Sequence, residues 1–404
     1  MEARTGAMSR RAFTATLSAA GLTAFVPIGS AAASTTSESA AGPWARRARA
    51  SYEALQKNLY LPDSGLYQEN YPTRAGENPY SYVWPLREAA AATQDMNQLA
   101  PVGKRYDDDV RSRFNGLERY FDDPRGAYDS YPPEPLGTRG DPFYDDNGVI
   151  GLEYMRRYRL VGDQRALRRA ARAFRFVTQA WDEESTGKCA GGMHWVDAAW
   201  NPYQGATNVT SIAAELAAHL YEETGNRDYL RWAERCYNWV HGCLRSGTGL
   251  YANGIRLDKT VEDTLWTYNS GFMIGAATLL HRSTHQRSWL RRAEQDTIGA
   301  LDYWTYGDRL YSQPVVFNAI FFANLLLFCS ERPQRTREVL RVFHRYAERL
   351  WDENRDEDTG LFRFQASGGG APDPDQRPQA LHQSGATQIF ALLPWRRSDY
   401  PDAT

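Results

Sequence analysis

The sequence predicts an all-α chain folded as an (α/α)6 toroid, a ring of six helical hairpins. Three observations carry that expectation. Apolar residues recur at helical spacing along most of the 404 residues, and no run of alternating, strand-like residues occurs. A weak internal repeat pairs the helices: Val161-Gly162-Asp163-Gln164-Arg165-Ala166-Leu167 resembles Thr224-Gly225-Asn226-Arg227-Asp228-Tyr229-Leu230, and more loosely Thr284 to Leu290. Leu167, Leu230 and Leu290 lie 63 and 60 residues apart, and one hairpin per repeat makes six in the 371 residues that follow residue 33. A linear solenoid of helix pairs uses the same repeat. The ring is preferred because the copies are only weakly similar and the long, aromatic connections between them suit loops around a mouth.

Taken in order, residues 1–33 read as a targeting leader. Ser9-Arg10-Arg11-Ala12-Phe13 opens a mildly apolar run that closes on Ala31-Ala32-Ala33, a small-residue cleavage site, and the twin arginine points to Tat export. Residues 34–43 form a Ser/Ala/Thr linker, residues 44–395 the expected catalytic domain and residues 396–404 a C-terminal tail. Helical spacing is clearest in Val149–Leu160, Ala166–Ala180, Val209–Tyr221, Tyr229–Leu244, Phe272–His281, Trp289–Trp304, Val316–Phe328 and Arg337–Trp351, with a further helix over Gln379–Leu393. In each repeat a helix ends at a Gly or polar turn and the next opens on Leu or an aromatic beside a small residue, as in a helical hairpin.

Beyond the leader no segment reaches the roughly 18 apolar residues of a membrane span, so a secreted protein is expected, with no membrane partner once the leader is removed. A formal net charge of −2 offers no electrostatic footprint for nucleic acid. Cys189, Cys236, Cys243 and Cys329 match no tight metal spacing and allow three disulfide connectivities. Cys236 and Cys243, seven apart in one expected helix, stand about 10 Å apart along it, too far for a bridge. The seven histidines form no ligand pair, and neither a phosphate-binding Gly loop nor a Gly-x-Ser-x-Gly elbow occurs. No cofactor or metal is expected, and the protein is expected to act as a monomer.

The chemistry concentrates in Tyr144-Asp145-Asp146-Asn147-Gly148. One Asp ahead of a helix is explained as an N-cap. A second beside it is not, because neighbouring carboxylates repel and one then holds its proton more tightly, as a general acid must. Consecutive Cα atoms lie about 3.8 Å apart, which suits the roughly 5 to 5.5 Å carboxyl separation of a retaining glycosidase better than the wider spacing of an inverting one. Asp107-Asp108-Asp109 and Asp122-Asp123 are comparable acidic runs that lack the Tyr-x-x-Asn-Gly frame and read as solvated loops or helix starts. Aromatic residues make up 13% of the chain, and Trp84, Trp195, Trp200, Tyr203, Trp266 and Tyr268 fall in or beside connections. Flat rings pack against the C–H faces of sugars. Most Trp in a helical protein packs the core, so weight falls on those beside Gly and Asn: Gly191-Gly192-Met193-His194-Trp195, Thr207-Asn208 and Tyr268-Asn269-Ser270-Gly271.

These segments, with Glu223-Thr224-Gly225 and Gly249-Leu250, resemble glycoside hydrolase family 76, the bacterial and fungal α-1,6-mannanases, in order and spacing over roughly Trp44 to Leu393. The resemblance implies an (α/α)6 barrel that cleaves internal α-1,6 linkages of mannan or manno-oligosaccharides with retention. It implies Asp145 as nucleophile and Asp146 as acid/base, with Asn208, Tyr268, Asn269, Trp195 and Tyr144 as substrate contacts. Departures are Ser270, Asn253 and His194, none of which touches the proposed pair. Two further readings stand beside it: a transglycosylase on the same linkage, and a toroid sugar epimerase working through histidine bases, for which His194, His241 and His382 are the candidates.

Overall fold

The computed structural model describes residues 42–99, 105–247 and 249–404. The expected leader, and the linker up to residue 41, lie outside the described residues. Among those described are twelve α-helices, α1 (Pro43–Leu59), α2 (Val83–Asn97), α3 (Asp107–Leu117), α4 (Tyr144–Val161), α5 (Gln164–Val177), α6 (Thr207–Thr224), α7 (Arg227–Cys243), α8 (Thr267–Thr284), α9 (Arg287–Trp304), α10 (Val315–Glu331), α11 (Thr336–Asn354) and α12 (Ala380–Leu392).

The even-numbered helices are buried almost all round; α2 buries every residue except Trp84, and α10 carries the apolar run Ile320-Phe321-Phe322-Ala323. A helix apolar on all sides needs neighbours on all sides, so these six become the inner wall. Each packs on the next, and α12 packs back on α2, which closes the ring. The odd-numbered helices bury one face each and form the outer layer. Five hairpins follow the chain from α2–α3 to α10–α11, while the sixth joins α12 to α1, the two ends of the domain. This is the expected all-α toroid, with closure supplied by residues some 300 positions apart.

The repeat seen in the sequence is a capping device. Gly162 and Gly225 end α4 and α6 in the left-handed region, and the side chains of Asp163 and Asn226 then cap α5 and α7 by accepting from the amides of Arg165 and Asp228. The third copy performs the same turn with His285 at φ 57°.

Three features depart from the expectation. The helix expected from Val149 starts at Tyr144, so the Asp pair occupies its first turn. Of the two readings given for Asp107-Asp108-Asp109, solvated loop or helix start, the second holds: the run forms the first turn of α3, where negative charge meets the positive helix end. Short strands also occur: β1 (Tyr60–Leu61) pairs with β2 (Leu66–Tyr67), and β3 (Phe121–Asp122) with β4 (Ala127–Tyr128). An antiparallel sheet joins β5 (Tyr203–Ala206), β6 (Ala252–Arg256) and β7 (Val261–Leu265), with Ala206 opposite Gly254 and Gly254 opposite Glu262. The C-terminal tail also carries structure of its own. Arg397–Asp402 forms a 3-10 turn that buries Tyr400, and Arg159 and Arg156 of α4 donate to the Asp402 carboxylate and carbonyl at 2.8 Å each. Those arginines follow Asp145 by more than ten residues on one helix, roughly 15 Å or more along its axis, so the tail covers the end of the ring remote from the Asp pair.

Midway down the ring Glu215 of α6 is fully buried, and neither carboxyl oxygen has a hydrogen-bond partner in good geometry. Burial pushes this carboxyl up to about 8, against the opposing pull of Thr404, Arg87 and Arg159. A group that binds its proton more tightly folded than unfolded contributes stability that is present below its unfolded value near 4.5 and is lost as pH rises through about 8. The Glu215→Gln variant is therefore expected to melt higher than the parent at pH 8, by about 5 °C, and to converge with it near pH 4.5. Thermal scans at the two pH values check this, and equal melting temperatures at pH 8 would count against it.

Candidate active site

The inner helices alternate with outer ones that return the chain, so all inner N-termini emerge at the same end. Their first turns line a cavity of about 230 Å³: Trp84 from α2, Asp145, Asp146 and Val149 from α4, Asn208 and Ile212 from α6, Tyr268 from α8, and Phe317 and Ile320 from α10. Trp195, Tyr203, Asn253 and Trp266, from the β5–β6–β7 sheet and the segments leading into it and into α8, complete the wall. Several positive helix ends thus converge on one spot, favouring negative charge there.

Asp145 and Asp146 differ sharply in environment. Asp145 Oδ2 accepts from Trp195 Nε1 at 2.9 Å and from Asn208 Nδ2 at 2.6 Å, and Oδ1 accepts from the Asp146 amide at 3.0 Å. Burial raises its proton affinity, and the Trp195 and backbone donors pull it back down. Among the described residues none donates to the Asp146 carboxyl. Burial lifts Asp146 well above the usual carboxylate range, and the charges of Asp145 and Glu88 add to the effect. Asp145 is therefore the member of the pair that ionises first, and Asp146 keeps the proton.

Local sequence explains how these groups are delivered. Asn147 is buried and staples α4 to the β4 strand: its side-chain amide donates to the carbonyls of Phe143 and Tyr128 at 2.8 and 2.9 Å and accepts from the Tyr128 amide at 2.8 Å. Gly148 lets α6 approach, since a Cβ there would stand 2.5 Å from Ile212 Cγ2. Gly192 has φ +92° and lies against the Trp239 ring, which sets the turn that carries Trp195 toward Asp145. The Trp195 amide donates to Asn201 Oδ1 at 3.0 Å, and its carbonyl accepts from the Tyr144 amide at 3.0 Å.

Of the seven site residues expected from sequence, Asp145, Asp146, Asn208, Trp195 and Tyr268 meet at the cavity. Asn208 and Trp195 spend a donor each on Asp145, so both orient that carboxylate, and Trp195 still lines the cavity. Tyr144 and Asn269 do not line it. Tyr144 turns away from the cavity and stacks on Phe176 at 4.8 Å, because the first helical turn points it into the α5 interface. Asn269, one residue on from Tyr268, is turned about 100° round α8 and is fully buried in the ring wall. Of the aromatic residues singled out, Trp84, Tyr203 and Trp266 do line the cavity, whereas Trp200 stands half exposed outside it with its indole N–H on Asp141.

Phe317 was missed. It stacks on Tyr268 with ring centres 3.9 Å apart and planes 2° off parallel, and Trp84 and Trp266 flank it at 6.0 and 5.4 Å. Its place in the first turn of an inner helix was the available signal. Asn253 donates to the Tyr203 hydroxyl at 3.1 Å at the cavity rim, while Ser270 is buried outside it. None of His194, His241 and His382 lines the cavity, and burial holds His241 and His382 down at about 4. No cluster of metal-ligating side chains occurs among the described residues.

Paired carboxylates between aromatic walls, at the mouth of a six-hairpin ring, define the class: a carbohydrate-active helical toroid. The sequence profile of glycosyl hydrolase family 76 matches residues 44–391, and the chain belongs to that family. Among curated relatives, the mannan endo-1,6-alpha-mannosidase DCW1 of Saccharomyces cerevisiae is 31% identical over 134 residues, 31% of this chain and 29% of that protein. The mannan endo-1,6-alpha-mannosidase DFG5 of the same yeast is 28% identical over 199 residues, 46% and 42% of the two chains. These matches span less than half the length of either relative. A family 76 mannosidase of Bacteroides thetaiotaomicron superposes with a TM-score of 0.75 at 22% identity, over 87% of this chain and 98% of that one. An inactive variant of an α-1,6-mannanase of Salegentibacter sp. HEL1_6, in complex with α-1,6-mannotriose, does so with 0.71 at 20% identity, over 87% and 99%.

Proposed function

We propose that the protein is a secreted, retaining endo-α-1,6-mannanase. The observation that carries this reading is the asymmetry of the Asp pair: adjacent in sequence, one carboxylate braced by three donors and the other with none, both at the floor of an aromatic cleft. Asp145 attacks C1 of a mannosyl unit while Asp146 protonates the glycosidic oxygen, so the C1–O bond breaks as the C1–Asp145 bond forms. Asp146, now a carboxylate, takes a proton from water; the water oxygen attacks C1, Asp145 leaves, and the product regains the α configuration. The aromatic walls bind sugar faces and exclude bulk water.

Membership of family 76 supports the reading, as do the substrates named for the fungal relatives. So does the Salegentibacter mannanase, whose inactive form carries Asn at two consecutive Asp positions. The Cys189–Cys243 disulfide suits the oxidising surroundings of an exported protein, in line with the Tat-type leader. No helix of the described residues is long and apolar enough to cross a membrane.

The test is incubation with linear α-1,6-mannan beside α-1,2- and α-1,3-linked controls, with product size and anomeric configuration followed by NMR. Shortened α-configured products from the α-1,6 polymer alone are expected; cleavage of a control instead, or first-formed β products, would overturn it. Capture of the glycosyl unit by a sugar hydroxyl instead of water would show as longer products at high acceptor concentration.

A further inference from the structure

We propose that Glu88 of α2 is a positioning residue for this reaction: a fixed negative charge beneath the cleft floor that acts on substrate only through the proton carried by Asp146. The inference rests on the reading of Asp146 as acid/base. Glu88 has no exposed surface. Its Oε1 accepts from Trp84 Nε1 at 2.9 Å and Arg87 Nη1 at 2.6 Å, and its Oε2 accepts from Gln388 Nε2 of α12 at 2.8 Å. Three donors on two oxygens, one of them charged, are the surroundings of a carboxylate. The Trp84 ring lines the same cavity as Asp146, and Arg87 Nε reaches the carbonyl of Val149, one turn along α4 from Asp146. Glu88 is thus tied through Trp84 to the cavity wall and through Arg87 to the turn of α4 that follows Asp146.

Its simplest role would be to neutralise Arg87. That role is already shared, because Arg87 Nη2 also lies 3.3 Å from Glu153. Arg87 and Arg156 together face Glu88, Glu153 and Asp95, the last pushed up to about 7 by burial against the pull of Arg156, so Glu88 and Glu153 share the neutralisation of the two arginines. The ionisable groups that act on or face Asp146 are Asp145 on its own helix, Glu88 from α2 and the phenol of Tyr268 from α8, which burial keeps neutral. α12 contributes the amide of Gln388 through Glu88, and α10 the uncharged Phe317.

The two neighbouring charges behave differently over the cycle. Asp145 loses its charge on becoming an ester with C1, and with it the repulsion that kept the proton on Asp146. Glu88 forms no bond to substrate at any stage, so it still favours proton uptake when Asp146 must accept one from water. A stronger base makes that second step faster.

The Glu88→Gln variant keeps the side-chain shape and removes the charge. The alkaline limb of its kcat/KM profile, which reports the proton on Asp146, is expected to move to lower pH by about 0.5–1 unit. The acid limb, which reports Asp145, stays in place, and Glu88→Asp restores the alkaline limb. A structural defect would instead lower the whole profile without moving one limb. An active Glu88→Gln enzyme with an unmoved alkaline limb overturns the proposal, as does an amplitude loss that Glu88→Asp does not repair. Circular dichroism checks folding. Should the Gln variant not fold, Glu88→Met is read by the same criterion, and if neither folds Glu88 serves the fold and the proposal is dropped. Near-full activity in Asp146→Asn would instead sink the parent reading, so the two failures are distinguishable.

Discussion

Replacing Asp146 by Ala is expected to lower kcat on α-1,6-mannan by about 10²–10⁴-fold, and replacing Asp145 by Ala by at least as much, with the fold retained in both. The two losses have different chemistry. Without Asp146 the glycosyl-enzyme ester on Asp145 still forms from a substrate whose leaving group needs no proton, and its hydrolysis stalls for want of a base. Added azide needs no deprotonation, so it attacks C1 of the ester and yields the α-mannosyl azide. Without Asp145 no ester forms, and azide entering the vacated space attacks C1 of the substrate itself, yielding the β-mannosyl azide. NMR of the two azide products therefore assigns each role separately. A β product from the Asp146 variant, or an α product from the Asp145 variant, would reverse the assignment drawn from the three donors on Asp145.

The second large effect is expected at the Cys189–Cys243 disulfide. It closes a loop of 54 residues, and the loss of that constraint from the unfolded chain corresponds to about 4 kcal/mol. The bridge also holds the cleft wall. The Cys189 carbonyl accepts from Gln204 Nε2 at 2.8 Å, beside β5, and Cys189 stands three residues before Gly192, whose turn rests on the Trp239 ring and leads to Trp195. Cys189→Ala/Cys243→Ala is therefore expected to melt several degrees lower and to lose activity as Trp195 loosens from Asp145. Reduction of the parent protein should reproduce both changes. Unaltered denaturant midpoints in the double variant would show that the unfolded chain was already compact there. Cys236 and Cys329, buried and free, are expected to contribute through packing alone.

Much of the site was legible because its chemistry is local. Asp145 and Asp146 are adjacent, Asn147 and Gly148 follow within one helical turn, and Trp195 lies beside the glycines that make its turn possible. Tyr144 and Asn269 lie outside the cavity for an equally local reason: within a helix, adjacent residues point about 100° apart, so a residue next to a cavity-lining one most often faces elsewhere. The missed start of α4 has the same origin, since a polar first turn carries no apolar periodicity. Helices α1, α2 and α3 were missed too, α2 because a helix buried on every side shows no stripe.

By itself, then, the sequence determined the hairpin unit, through its Gly-Asp and Gly-Asn caps, the number of units and the adjacent Asp pair at the start of an inner helix. Only the tertiary structure decided what surrounds that pair. Closing α12 onto α2 brings Gln388 to Glu88, and the ring brings Phe317 to Tyr268 and sets the β5–β6–β7 sheet as one wall. The disulfide partner of Cys189 belongs to the same set. The physical reason is that periodicity and capping act over a few residues, whereas the proton affinity of Asp146 is set by burial and by charges arriving from helices that meet only when the ring closes.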